Sequence, residues 1–85
     1  MTDHAPVAVL TKNSREDIHV TLSEFKGIHL CDVRVFATIA DGQSIATKKG
    51  ISIRPHLLPE LIAALQKAEA EARGRGLVSN PASAA

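Results

Sequence analysis

The chain has 85 residues, one cysteine, no tryptophan or tyrosine, and a formal net charge of +1. One cysteine excludes an intramolecular disulfide, and no run of Cys and His has zinc-finger spacing. A domain this short buries only about 60% of its unfolded surface and usually needs a staple, so self-association is expected before any motif is read.

The net charge alone does not suggest a nucleic-acid partner, but its distribution says more. Between Ile18 and Arg54 the bases are Lys26, Arg34, Lys48, Lys49 and Arg54, against the acids Glu24, Asp32 and Asp41. The excess is +2 per subunit, enough for local phosphate contacts and weak for long-range steering. The start MTDHAPVAVL lacks the basic segment of a signal peptide. No apolar run approaches the ~20 residues of a membrane helix, so no membrane partner is expected. One free cysteine agrees with a reducing compartment. The expected location is cytoplasmic, nucleoid-associated in a bacterium or nuclear in a eukaryote.

Residues 1–15 show neither helical nor strand period and read as a flexible tail. Ile18, Val20 and Leu22 alternate with His19, Thr21 and Ser23, the pattern of a half-buried strand. Phe25-Lys26-Gly27 reads as a turn, with Gly27 free to take positive φ. A second strand runs from Ile28 to about Ile39. Its phase switches, because Ile28 and Leu30 share one parity while Cys31, Val33 and Val35 take the other. A bulge or burial of both faces would explain the switch. Asp41-Gly42 is a hairpin signal, followed by a short strand at about Gln43–Ala46. Lys48-Lys49-Gly50 reads as another turn, and Ile51-Ser52-Ile53 as a fourth strand.

Arg54-Pro55 stops the sheet. Leu58, Leu61, Ile62, Leu65, Ala68 and Ala72 then form one apolar helical stripe. Pro59 fits a helix that begins between Pro55 and Leu58, and Gly74 is a natural stop. The fold class is α+β, ββββα, with the ordered domain at 16–75 and a second flexible tail at 76–85. One helix covers one sheet face at most, and Leu57 lies off the stripe. Pairing across a two-fold axis would bury the remainder.

The chemistry gathers at the turns. Lys48 and Lys49 can reach one groove if two strands reverse there. Phe25 beside Lys26 sets a π-face next to a positive charge, a combination used for single strands. Arg34 can lay its planar guanidinium along a phosphate or a base. Charged turn residues are more often merely solvated, and Phe25 taken alone reads more readily as a core or edge residue packed beneath the helix.

The segment VTLSEFKGIHLCDVRVFATIADGQSIATKKGISIRP resembles the positive cofactor four (p15) family of transcriptional coactivators. The shared elements, in order, are strand-EFKG-strand, DVR followed by an aromatic, DG, KKGIS, and a helix opened by proline. The resemblance implies a curved four-stranded antiparallel sheet followed by one helix, dimerised through that helix. It implies a non-enzymatic homodimer, without cofactor, that binds single-stranded or melted DNA without sequence specificity and regulates transcription as a coactivator. RNA and the transcription machinery are further candidate partners. Carried over residue by residue, the implied nucleic-acid-binding set is Phe25, Lys26, Arg34, Phe36, Lys48 and Lys49. Three positions depart from the family pattern. Ala37 stands where a second aromatic stacks, and Ile28 and Ile45 stand where bases are common. One stacking platform is worth roughly 1–3 kcal/mol, so the departures imply weaker binding than in animal members.

Two other readings stand beside this one. Ala37, Ile28 and Ile45 would also suit a protein-interaction module with weak or lost DNA binding. His19, His29, Cys31 and Asp32 could approach one another across the first two strands as a metal or catalytic group, and His29 and Cys31 share a parity. Cys31 is better read as a small core residue. No paired carboxylate, nucleophile elbow or phosphate-cradling loop accompanies the four.

Overall fold

Alternation carries the longest strands, and turn chemistry joins them. The computed structural model describes residues 5–78. The strands are β1 (Ala8–Thr11), β2 (Glu16–Phe25), β3 (Ile28–Thr38) and β4 (Ser44–Ile53), and the helix is α1 (Leu58–Gly74). They form one open antiparallel sheet in the order β1-β2-β3-β4, followed by the single helix. The α+β class and the ββββα order are as expected. The identity of the strands is not.

Ala8–Thr11 were expected to lie in a flexible tail. They form an edge strand instead, with Ala8 opposite Val20 and Thr11 opposite Asp17. The strand is only four residues long and exposed throughout, so it has no buried face to impose a visible alternation. Residues 1–4 of the expected first tail and residues 79–85 of the expected second lie outside the described residues.

The second correction concerns Lys48-Lys49-Gly50. This is not a reversal between two short strands, because β4 runs through it without a break. Arg34 pairs with Gly50 and Phe36 with Ala46, so Thr47, Lys48 and Lys49 together face the single residue Val35. The extra residues form a bulge in β4. Gly50 carries it, with φ +147°.

The other two junctions follow their sequence signals. Lys26 (φ 53°) and Gly27 (φ 80°) form the two-residue turn between Phe25 and Ile28. Positive φ at both central residues is the type I′ pattern, which matches the twist of a hairpin. Lysine is an uncommon occupant of that position, where Asn is better tolerated. Lys26→Asn is therefore expected to raise stability by about 0.5–1 kcal/mol, read as a higher urea midpoint. Ala40-Asp41-Gly42 form a three-residue loop, in which Gly42 (φ 82°) donates to the Ile39 carbonyl and Ile39 donates to Gln43.

Register sorts the sheet into two faces, since directly opposed residues point the same way. One face carries Leu10, Ile18, Val20, Leu22, Cys31, Val33, Val35, Ile45, Ile51 and Ile53. The other carries His19, Thr21, Ser23, Asp32, Arg34, Phe36 and Ser52. The phase switch in β3 is neither a bulge in that strand nor burial of both faces. β2 and β3 pair without interruption from Phe25–Ile28 to Glu16–Ala37. Ile28 and Leu30 simply join Phe25 as an apolar patch at the hairpin end of the polar face, and Ile28 is exposed.

The sheet and the helical segment are two units that divide after Pro55. A 3-10 turn at Pro55–Leu57 begins at that division and leads into α1, which has proline in its first turn. First-turn amides have no intrahelical acceptor, so Pro59 costs nothing there. Arg73 pairs with Glu69 at 2.9 Å and Arg75 with Glu71 at 2.9 Å along the polar side. Among the described residues Cys31, 1% exposed, is the one buried core residue.

Candidate nucleic-acid interface

All six expected site residues lie in the sheet unit, and they fall into two groups. Phe25 and Lys26 occupy the tip of the β2–β3 hairpin. Arg34, Phe36, Lys48 and Lys49 surround the β4 bulge. Six residues of β3 separate Ile28 from Arg34, which is about 20 Å at the rise of an extended strand. The polar face of the β2–β3 ribbon connects Phe25 with Arg34 and Phe36, whereas Lys49 reaches Glu16, which shares the face of Ala37.

At the tip, Phe25 is 65% exposed. It does not pack as a core residue. Lys26 Nζ stands 5.4 Å from the centre of its ring, within cation–π range. A turn with positive φ at Lys26 holds the ammonium and the ring on one projecting end of the sheet.

In the middle of the polar face the central group is a carboxylate. Arg34 donates to Asp32 twice, from Nε to Oδ2 at 2.9 Å and from Nη2 to Oδ1 at 2.8 Å. Ser52, directly opposite Asp32, donates to Oδ1 at 2.7 Å. Arg34 Nη1 donates to the Thr47 carbonyl at 3.3 Å. Residues two apart on a strand share a face, so the pair is a direct product of the Asp-Val-Arg spacing. Its geometry is the bidentate fork that suits guanidinium and carboxylate. The Arg34 hydrogen bonds hold the Asp32 carboxyl below its ordinary range, with Ser52 contributing and partial burial opposing. Asp32 in turn raises Arg34. Arg34 is thus positioned rather than free: three of its N–H groups are engaged and its charge is locally balanced.

A folded-state pKa below the unfolded one contributes stability that is present above the unfolded value. That stability is lost as pH falls through the folded value. Asp32 is the lowered group here, so the urea midpoint should hold steady down to about pH 5 and fall below about pH 4. Asp32→Asn should flatten part of that acid fall; an identical acid profile in the variant would show that the pair does not contribute.

Beside Arg34, the His19 and Phe36 rings stack at 3.9 Å between centroids and 10° between planes. His19 pairs with Arg34 across the strands, which sets its ring diagonal to Phe36. Thr21, Ser23, Asp32, Arg34, Phe36 and Ser52 line a shallow hollow on this face. Ala37 points to the other face, opposite Glu16 and Ile45. Sequence reasoning missed His19 as the partner of Phe36. The signal was available only through the β2–β3 register.

The bulge is held by Thr47. Its hydroxyl donates to the Val35 carbonyl at 2.7 Å and accepts from the Lys49 amide at 3.2 Å. Lys48 and Lys49 follow as exposed residues. Lys49 Nζ lies 3.8 Å from Glu16 Oε2.

The four candidate metal ligands do not converge. His19 and Asp32 lie on the polar face, His29 and Cys31 on the apolar one. Among the described residues no group of three or more His, Cys, Asp or Glu could hold a metal ion. Among the same residues no helix is long and apolar enough to cross a membrane.

The described residues thus form an open antiparallel sheet with a following helix, with basic residues at a projecting turn and a bulge and an aromatic ring near each. The family model of Transcriptional Coactivator p15 (PC4) matches residues 12–64, and the chain belongs to that family. This is a family of DNA-binding regulators of transcription. Among solved structures, the chain is similar to a PC4 homolog from Burkholderia pseudomallei K96243 in its orthorhombic crystal form. Identity is 30% and the TM-score 0.74, over 81% of this chain and 93% of that one. The tetragonal form of the same protein gives 31% and 0.73, over 79% and 98%. The bacteriophage T5 homolog of the eukaryotic coactivator, a protein implicated in recombination-dependent DNA replication, shares the fold at 22% identity. Its TM-score is 0.62, over 93% and 100%. A search of curated proteins found no match.

Proposed function

We propose that the chain binds single-stranded or melted DNA without strict sequence preference, as a homodimer, and regulates transcription in a coactivator-like way. One observation carries the reading. In a member of a coactivator family, the sheet sets exposed cations at a projecting turn and at a bulge about 20 Å apart, with aromatic rings at both. Cations that far apart suit phosphates a few nucleotides apart on one strand, and rings suit the unstacked bases between them. The proposed contacts are Phe25, Lys26, Arg34, Phe36, Lys48 and Lys49. This work needs no catalysis and no cofactor. It would be done at the nucleoid of a bacterium or in a nucleus.

The dimer is supported by what the single chain leaves uncovered. Ile62 and Leu65, on the α1 stripe, are 52% and 59% exposed, and one buried core residue among the described residues is few for a domain of this size. Joining two α1 stripes would remove that surface from water. Sedimentation at micromolar concentration should give twice the chain mass; Leu65→Glu should give monomers.

A protein-interaction module is the second reading. Exposed Ile28 and Ile45 favour it. A competition assay decides between the two. An unlabelled single strand should displace a labelled one far better than a duplex of the same sequence, with RNA as a third competitor. Failure of the labelled strand to bind, together with protein partners that survive nuclease treatment, would transfer support to the second reading.

A further inference from the structure

Three side chains converge on the Glu16 carboxylate at the end of the sheet where β1 joins β2. Lys12 Nζ and Asn13 Nδ2 each donate to Oε1 at 2.9 Å. Lys49 Nζ, from the bulge, stands 3.8 Å from Oε2. Two ammonium groups and an amide around one anion form a cradle, and its present occupant is the chain's own carboxylate. Glu16 reaches Lys49 because it pairs with Ala37, two positions from the Val35 that faces the bulge. One of the cations proposed to hold DNA, Lys49, is thus itself part of the cradle, and Lys48 precedes it in the chain. Its three donors come from two elements distant in sequence, so no local motif announces it.

We propose that Lys12, Asn13 and Lys49 form a phosphate-binding site on the path of the single strand, and that Glu16 competes with the strand for it. The proposal rests on the reading of the chain as a single-strand binder. A phosphate carries the same charge sign and the same acceptor chemistry as a carboxylate, so it satisfies the same donors. The internal contacts are cheap to exchange. Exposed pairs contribute little, and the Lys49 side chain remains 70% exposed while near Glu16. Asn13, Lys12 and Lys49 keep the Glu16 carboxyl below its ordinary range, against partial desolvation, so it is charged at neutral pH. A strand arriving at the bulge meets that negative charge beside the cations it would use. Glu16 thereby limits affinity, and its removal frees both lysines.

Fluorescence anisotropy with a labelled single strand tests this on the full chain. Glu16→Gln keeps the shape and removes the charge. It should tighten binding about three- to fivefold at ~0.05 M salt, the scale of one exposed charge pair. The log K against log salt slope should steepen by about 0.7, the increment of one more phosphate neutralised on a single strand. Adding Lys12→Ala to Glu16→Gln should remove most of the gain, while Lys12→Ala alone should change little. Equal or weaker binding by Glu16→Gln, with the unchanged protein binding normally, overturns the proposal. So does a gain that survives Lys12→Ala. If Glu16→Gln does not fold, Asn13→Ala with Lys12→Ala supplies the test: it releases Glu16 from its nearest partners and should weaken binding, and unchanged binding overturns the site. No single-strand binding by the unchanged protein would instead overturn the functional reading.

Discussion

Gly50→Ala is expected to destabilise the protein by about 2–4 kcal/mol, visible as a melting point lower by roughly 10–20 °C. Gly50 sits at φ +147°, where L side chains are strained. An added Cβ would fall on the Val33 carbonyl oxygen and lie 2.8 Å from Arg34 Cα. Both obstacles are backbone in the partner strand, so neither can swing aside. Relief would require the β3–β4 ladder to part at the bulge. That would also carry away the Thr47 carbonyl that receives Arg34. Total stability for such a domain is only about 5–15 kcal/mol, so the loss is a large fraction of it. Gly74→Ala is the control. It meets nothing within 4 Å and ends α1, so it should be neutral or slightly stabilising. Equal melting points for the two variants would mean that the bulge is not built as described.

Replacing Lys48 and Lys49 together by Ala should weaken single-strand binding roughly 10- to 100-fold per subunit at low salt while leaving the melting point within about 2 °C. The estimate takes about 0.7–1.4 kcal/mol for each charged phosphate contact, reduced from the full value by solvent screening. The salt slope should become shallower by about 1.4, at 0.7 for each phosphate contact on a single strand. The structure explains why stability should survive. The bulge is held through Thr47, whose bonds go to Val35 and to the Lys49 backbone amide, and those do not involve the lysine side chains. The two single variants should be unequal. Lys49 is partly answered by Glu16, so Lys48→Ala should cost more. Unchanged affinity in the double variant would remove the bulge from the interface.

What the sequence revealed, and what it hid, divides along physical lines. Regular alternation in Ile18–Ser23 and the helical stripe from Leu58 to Ala72 were legible because burial of one face imposes a period. Lys26-Gly27 and Asp41-Gly42 were legible because positive φ selects glycine. β1 was not, since its exposed four residues carry no period and are ordered by pairing with β2 alone. The bulge was misread as a turn because both use the same residues. A glycine after two lysines permits a reversal or a kink within a strand, and only the register of Phe36 with Ala46 and Arg34 with Gly50 distinguishes them. The candidate site was legible in its exposed cations and rings. The carboxylates that temper those cations were not. Asp32 was seen as a neighbour of Arg34 without its role as the holder of that side chain, and Glu16 reaches Lys49 only through three-dimensional proximity.

The central claim is that this sheet binds single strands chiefly through phosphates. Anisotropy titrations with a single strand and a duplex of the same sequence, at ~0.05 and ~0.2 M salt, test it most directly. Tighter binding to the single strand at both salts is predicted, with a log–log slope of about −3 per subunit if Lys26, Arg34, Lys48 and Lys49 each neutralise one phosphate. Equal affinity for the perfect duplex, or an affinity that does not change with salt, would contradict it.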